Sequence, residues 1–413
     1  MDSSKSNRVV IIGLGYVGLP LAISAANAGW HVFGVDTSEE IVSALNEGVS
    51  HVESIDSIEI DAAIKDRKIS FTNDFSSVAD SQIVILCVPT PLDKDSKPDL
   101  SSLMRAIHNC LPFFQNKSLV VSESTSFPGT LRGVIAKTII DSQYSKGKEI
   151  YFAVAPERVN PGDSIWTNSN TPRLVGGLDE EATRRASEFY QTFTSSVIEA
   201  DSPEEAEAAK LLENSFRLVN ISFINEFARI CTAAGINSKK VIDLAKTKPY
   251  GFMGFNPGIG AGGHCIPVDP VYFTEWAHEI RESSEILELA IGINRRQPEV
   301  VVRKALDLLG ELDSATTVLL IGMTYKPGIR DLRESPSIQI AERLIEKGIN
   351  LLWHDPLISE WNGTFSQPIT TKSSLIILAV DQKNLDVGYL NGCSIPILNC
   401  TNLEINSKTT YNL

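Results

Sequence analysis

Cys265 sits near the end of NPGIGAGGHCIPVDP (Asn256–Pro270), where four glycines precede the thiol. Such a run has no packing purpose. It serves a backbone that must approach a ligand closely, and the cysteine at its end then faces that ligand. The chain has six cysteines and no CxxC pair, so neither a zinc site nor a disulfide framework is expected. The other five read as small buried hydrophobes; the glycine run sets Cys265 apart as a candidate nucleophile. His264 would need an orienting partner to act as its base, and the sequence supplies none. Asp269, four residues past the cysteine, is better placed to hold a water or stabilise a cation; otherwise it caps a turn.

A second cluster lies near the N-terminus. Gly13-Leu-Gly15-Tyr16-Val17-Gly18 directly follows an apolar run and opens a helical pattern, and Asp36 ends the next apolar run. Gly13 suits the tight turn, Gly15 close approach of backbone to a pyrophosphate, and Gly18 close helix–sheet packing. A carboxylate at Asp36 would accept from both ribose hydroxyls and repel a 2′-phosphate, which favours NAD over NADP. A third group, Lys210, Asn214 and Arg217, falls at i, i+4 and i+7, on one face of a predicted helix. A cation and an amide there could stabilise a developing oxyanion, where each alone would be a solvated helix face.

The elements that must carry these groups alternate. Residues 8–13, 31–36, 82–88 and 118–122 read as buried parallel strands, with helical patterns over 19–28 and 38–47. Ser202-Pro203-Glu204-Glu205 reads as an N-cap, a proline at N1 and an acidic first turn; a helix follows to about residue 234, ~45 Å at ~1.5 Å per residue. Residues 248–270 read as a loop and 282–310 as a helix interrupted around Pro298. Strands over 317–322, 350–354, 375–379 and 396–398, with a helix over 337–347, suggest a second, smaller α/β domain. No internal repeat is evident.

With 413 residues and 43% hydrophobic content the chain can form two or three packed domains. Its formal net charge of -14 argues against nucleic acid or an acidic membrane as main partner. Phosphates would therefore need local cations and backbone amides. No apolar run reaches the ~18–20 residues of a membrane span, and the polar N-terminus lacks a signal-peptide core. A reducing cytoplasmic location is expected.

Seven blocks in order resemble the UDP-glucose / UDP-N-acetylhexosamine 6-dehydrogenase family: GLGYVGLPLA (Gly13–Ala22), VPTP (Val88–Pro91), ESTSFPGT (Glu123–Thr130), APERVNPG (Ala155–Gly162), EAAKLLENSFRLVNISFINE (Glu207–Glu226), GAGGHCIPVDP (Gly260–Pro270) and GMTYKPGIRDLRESP (Gly322–Pro336). The resemblance implies an α/β fold: two Rossmann-like doubly wound domains joined by a central all-helical domain with a long connecting helix. It implies an NAD-binding domain over 1–201, a helical dimerisation and catalytic domain over 202–312, and a UDP-binding domain over 313–413, in a homodimer. It also implies a chemistry, in which NAD accepts two successive hydrides from C6 of a UDP-sugar through a Cys265 thiohemiacetal and thioester, giving a uronate for surface polysaccharide.

By the same resemblance Lys210 and Asn214 stabilise the oxyanion, Asp269 and Thr125 hold the water, and Glu157 moves a proton during hydrolysis. NAD would meet Gly13, Gly15, Tyr16, Val17, Gly18, Asp36, Pro89, Thr90, Thr125 and Arg333. The UDP-sugar would meet Glu157, Arg158, Val159, Lys210, Asn214, Arg217, Asn256, Gly258, Gly260, Gly262, Tyr325 and Lys326. No metal is implied.

Three positions depart from the family pattern. Ile41 stands where many relatives have a basic residue, Thr401 replaces an arginine, and residues 249–264 contain no arginine. The loop most resembles UDP-N-acetylglucosamine enzymes, with UDP-N-acetylmannosamine and UDP-glucose as alternatives. Two other outcomes stay open: a single oxidation ending at the aldehyde, which Cys265 argues against, and a catalytically weak nucleotide-sugar binding protein.

Overall fold

The computed structural model describes residues 7–53, 55–159 and 165–413 and divides into two compact units, one up to Glu213 and one from Asn214 onward. In the first, β1 (Arg8–Ile12), β2 (His31–Val35), β3 (Ile69–Thr72), β4 (Ile83–Leu86), β5 (Leu119–Ser122), β6 (Tyr151–Val154), β7 (Arg173–Gly177) and β8 (Val197–Glu199) form one sheet in the order β3-β2-β1-β4-β5-β6-β7-β8. All neighbours are parallel except β6 and β7.

The strands are near-continuous apolar runs because each strand face meets its own core. Val9 and Ile11 enter one cluster with Leu19, Leu21 and Phe189, while Val10 and Ile12 enter another with Leu103, Ile107 and Leu131. Register then fixes the site. Ile12 pairs with both Val35 and Leu86, and Leu86 with Ser122. Gly13, Asp36, Cys87 and Glu123 therefore emerge in one row beyond the carboxyl edge, where ligands bind in sheets of this kind.

The second unit has β9 (Thr317–Ile321), β10 (Asn350–His354), a hairpin of β11 (Glu360–Trp361) and β12 (Thr364–Phe365), then β13 (Leu375–Leu378), β14 (Ile397–Asn399) and β15 (Thr410–Asn412). Its five-stranded sheet is parallel, in the order β10-β9-β13-β14-β15. Though the sequence reads without repeats, one turn is built twice. Leu14 N–H donates to Asp36 Oδ2 at 2.9 Å, and Met323 N–H to Asp355 Oδ2 at 2.7 Å. Gly13 (φ +91°) and Gly322 (φ +91°) each leave no room for a Cβ, which would lie 2.6 Å from the Cys87 carbonyl oxygen and 2.5 Å from Val380 Cβ respectively.

Helix Pro203–Ala233 starts as its sequence predicts: Glu205 N–H donates to Ser202 Oγ at 3.3 Å, and the Glu205 carboxylate accepts from Asp201 N–H at 3.0 Å. Helix Glu285–Leu309 corrects the reading of a break at Pro298, because it runs straight through. Pro298 supplies no N–H to the carbonyl of Asn294, and that carbonyl faces Gly260, 3.5 Å from where a Cβ would stand. The proline thus opens the helix toward the glycine loop instead of ending it. Among the described residues no helix is long and apolar enough to cross a membrane.

Candidate active site

In the first unit the glycine turn is formed and empty of side chains. An added Cβ at Gly18 would fall 1.8 Å from the Gly13 carbonyl oxygen, so this position admits only glycine. At Gly15 a Cβ would meet nothing within 4 Å, which leaves the backbone open to a ligand. Helix Gly18–Asn27 begins at Val17 without a side-chain cap and with no acidic residue in its first turn, so its amide dipoles suit a pyrophosphate. Tyr16 and Val17 pack against the core at the base of this turn. Asp36 holds the turn through Leu14 N–H and Ser38 N–H, each at 2.9 Å. These features fit NAD. Asp36→Ser is expected to weaken NAD binding ~10–100-fold, the worth of hydrogen bonds to a charged group, and to narrow the preference over NADP. Isothermal titration with both nucleotides checks this; an unchanged preference contradicts it.

The same edge carries the next groups. Ser124 Oγ donates to the Val88 carbonyl at 2.7 Å, and Thr90 Oγ to the Thr125 carbonyl at 2.7 Å, which locks the loops after β4 and β5 together beside Pro89. A small pocket at this place is lined by Thr125, Ser126, Pro156, Glu207 and Lys210. Glu207 accepts from Gly129 N–H at 2.6 Å and Leu131 N–H at 2.9 Å, clamping the loop that carries Thr125 to the start of the long helix. Burial pushes the Glu207 carboxyl up to about 7 against those two amides. Lys210, one turn on, is buried and its charge reaches Glu157. Burial raises Glu157, but Arg173, the Val159 amide and Lys210 outweigh it and hold this carboxyl below its ordinary range. Arg158 is engaged with Glu213 at 2.7 Å and with the Pro172 carbonyl at 2.9 Å.

In the second unit Asn214 Nδ2 donates to Asp269 Oδ2 at 2.5 Å, both side chains buried. Asp269 opens helix Asp269–Glu279, and its N–H donates to the Cys265 carbonyl at 2.8 Å. Cys265 itself is half-buried. The glycine loop ahead of it is held by three amide side chains. Asn294 accepts from Ala261 N–H at 2.7 Å and donates to the Ala261 carbonyl at 3.0 Å. Asn225 accepts from Gly258 N–H at 2.8 Å, and Gln297 donates to the Gly258 carbonyl at 2.9 Å. Gly260 takes φ +112°. A Cβ at Gly262 would lie 2.6 Å from the Glu334 carbonyl oxygen, and one at Gly263 2.6 Å from the Tyr325 ring. The loop is thus packed on the turn after β9. There Thr324 Oγ donates to the Lys326 carbonyl at 3.0 Å, and Arg333 forms a two-pronged pair with Asp331 at 3.0 and 2.6 Å. Arg217 and Asn256 are exposed.

The sequence reading missed Glu123, Arg173, Tyr190, Glu207, Asn225, Asn294 and Gln297. One signal was available for two of them: a charge beside an otherwise apolar strand, as at Glu123 after β5 and Arg173 at the start of β7, needs a buried partner.

A doubly wound sheet with this glycine turn and acid marks a class, the dinucleotide-binding proteins. Known proteins narrow it. The UDP-glucose/GDP-mannose dehydrogenase family matches through its NAD binding domain at residues 7–194, its central domain at 204–296 and its UDP binding domain at 319–387. The UDP-N-acetyl-D-mannosamine dehydrogenase of Pyrococcus horikoshii is 33% identical over 377 residues, 90% of this chain and 88% of the relative. The UDP-N-acetyl-D-glucosamine 6-dehydrogenase of Pseudomonas aeruginosa is 32% identical over 372 residues, 89% and 86% of the two chains. A solved structure of UDP-D-ManNAc dehydrogenase from Pyrococcus horikoshii is similar with TM-score 0.88 and 30% identity over 98% of both chains. The chain belongs to the UDP-glucose/GDP-mannose dehydrogenase family and is an NAD-dependent UDP-sugar dehydrogenase.

Proposed function

We propose that the chain oxidises the C6 hydroxymethyl of a UDP-N-acetylhexosamine twice, to the uronate, with Cys265 as nucleophile. The observation that carries this reading is the glycine loop that Asn225, Asn294 and Gln297 hold by its peptide groups and that ends at a half-buried thiol. NAD, when bound at Gly13, Gly15, Gly18 and Asp36, supplies the hydride acceptor. The thiolate of Cys265 adds to the C6 aldehyde, which makes that carbon tetrahedral so that its C–H can leave as hydride; loss of that hydride turns the thiohemiacetal into an acyl thioester. Lys210 and Asn214, one helical turn apart, stabilise the oxygen that gains negative charge in that addition. Asp269 and Thr125 orient the water, and Glu157 takes its proton. Tyr325, Lys326 and the loop backbone hold the UDP-sugar. On this reading residues 1–201 bind NAD, 202–312 form the helical domain and 313–413 bind UDP.

The character of the glycine loop favours UDP-N-acetylglucosamine. The mannosamine epimer is the second reading, favoured by the 33% identity to a relative named for it. Rates of NADH formation across UDP-N-acetylglucosamine, UDP-N-acetylmannosamine and UDP-glucose test the proposal. An N-acetylhexosamine is expected to lead by at least ~10-fold, the low end of what pocket contacts with one substrate group discriminate. Turnover of UDP-glucose alone sinks the N-acetyl reading.

Helix Pro203–Ala233 supports a homodimer. Phe216, Phe223 and Ile230 recur every seven residues with exposures of 46%, 65% and 60%. A seven-residue repeat keeps an apolar seam on one face, and two copies of it are self-complementary. Phe223→Glu is expected to convert a dimer into a monomer by analytical ultracentrifugation; a wild-type monomer, or a dimer that survives the change, contradicts it.

A further inference from the structure

The first unit buries a charge cluster around Glu157 whose other members the proposed chemistry leaves unused. Arg173 is 2% exposed; its Nη1 lies 3.0 Å from Glu123 Oε2 and 2.9 Å from Glu157 Oε2, and its Nη2 donates to Asn168 Oδ1 at 3.1 Å. The guanidinium stands over the Tyr190 ring, 5.2 Å from its centroid, and the Tyr190 hydroxyl donates to Glu123 Oε1 at 2.6 Å. The Glu123 side chain is fully buried, while that of Glu157 is 14% exposed. The remaining oxygen of Glu157 accepts from Val159 N–H.

A structural ion pair needs one carboxylate per cation. Here one guanidinium serves two, and only Glu157 reaches toward solvent. Lys210 lends its charge to Glu157 as well, whereas Glu123 is the drier carboxyl and shares Arg173; a negative charge in a dry place is costly, so the cluster favours holding one proton. Its place is Glu123, whose carboxyl burial pushes up to about 7 against the pull of Arg173. Among the described residues Glu123 is faced by Arg173 from β7, Glu157 from the loop after β6, Tyr190 from helix Glu180–Gln191 and Cys87 from the end of β4. Burial pushes both the Cys87 thiol and the Tyr190 hydroxyl well up, so neither is charged near neutrality.

We infer that Arg173 is a positioning residue for Glu157, and that Glu123, anchored by Tyr190, sets how much of the Arg173 charge Glu157 receives. This deepens the proposed function and rests on Glu157 accepting a proton there. While Glu123 is protonated, Arg173 acts on Glu157 alone and makes it a weak base. When Glu123 ionises, the cation is shared and Glu157 becomes the better acceptor. The step it serves is hydrolysis of the acyl thioester. The water oxygen bonds to the acyl carbon, the C–S bond breaks with its electron pair returning to the Cys265 sulfur, and a water proton passes to Glu157.

The test is the decay of acyl-Cys265 in a single turnover of the intact enzyme, followed by rapid quenching and intact-protein mass from pH 5.5 to 9. The wild-type rate is expected to rise through an inflexion near neutrality. Glu123→Gln, which mimics the protonated acid, should flatten the profile and slow decay at least ~10-fold at pH 8, within the range expected of general base catalysis. Tyr190→Phe removes a hydrogen bond that favours ionised Glu123, so the inflexion should move up by ~1 pH unit. This second variant decides the matter if the first fails to fold. A flat wild-type profile, or variant profiles that overlay the wild type, overturns the inference. Absence of acyl-Cys265 in the wild type instead overturns the proposed function beneath it.

Discussion

Cys265→Ser is expected to bind NAD and UDP-sugar as the wild type does and to lose uronate formation by at least ~10³-fold. The reason lies in the number of oxidations. An aldehyde presents a removable hydride on an sp³ carbon only after something adds to it, and the product must then leave by hydrolysis. A thiolate does both; a serine hydroxyl is far weaker as a nucleophile, and its ester is slower to hydrolyse. The substitution is nearly isosteric at a half-buried position, and the backbone carbonyl that accepts from the Val268 and Asp269 N–H groups is retained. Folding should therefore be unaffected, which an unchanged melting temperature checks. Uronate formation at the wild-type rate by this variant contradicts the proposed nucleophile.

Lys210→Met carries the second largest expected effect, a fall of ~10²–10³ in kcat, the measured worth of one oxyanion-stabilising donor. Lys210 is only 8% exposed and lines the pocket with Thr125, Ser126 and Glu207. A buried ammonium there has a purpose beyond solvation, because desolvation strengthens its pull on nearby negative charge. Its charge already helps to hold Glu157 ionised. The loss should appear in the first NADH burst, with NAD affinity unchanged, since Lys210 stands on helix Pro203–Ala233 and not on the glycine turn. A variant whose burst rate stays within twofold of the wild type contradicts the assignment.

Much of this was legible in residues 8–36, where RVVII, GLGYVG and HVFGVD state strand, turn, strand and acid in order. Local chemistry wrote that segment: each glycine answers a contact with its immediate neighbours or with the next strand. β7 and β8 were not legible, because one opens on an arginine and ends in two glycines and the other has three residues. Their identity comes from pairing, not from pattern. Pro298 misled for a similar reason. Its cost in an isolated helix is real, but packing overrides it and the freed carbonyl of Asn294 faces Gly260, in a loop earlier in the chain. The glycine loop announced Cys265, yet nothing in it named the amides that hold it. Glu123 meets Arg173 across 50 residues, and Gly129 meets Glu207 across 78, separations no local reading spans. The repeated turn escaped for the opposite reason. GLG and GMT look unlike, while Asp36 and Asp355 perform the same bond to the residue after a left-handed glycine.

The central claim is that one site removes four electrons from one carbon. Its most direct test is the ratio of NADH formed to UDP-sugar consumed, measured to completion with limiting sugar and with the product identified by mass. Two NADH per sugar, and a uronate that gains one oxygen from water, are the expected result. One NADH per sugar, with an aldehyde released, contradicts it.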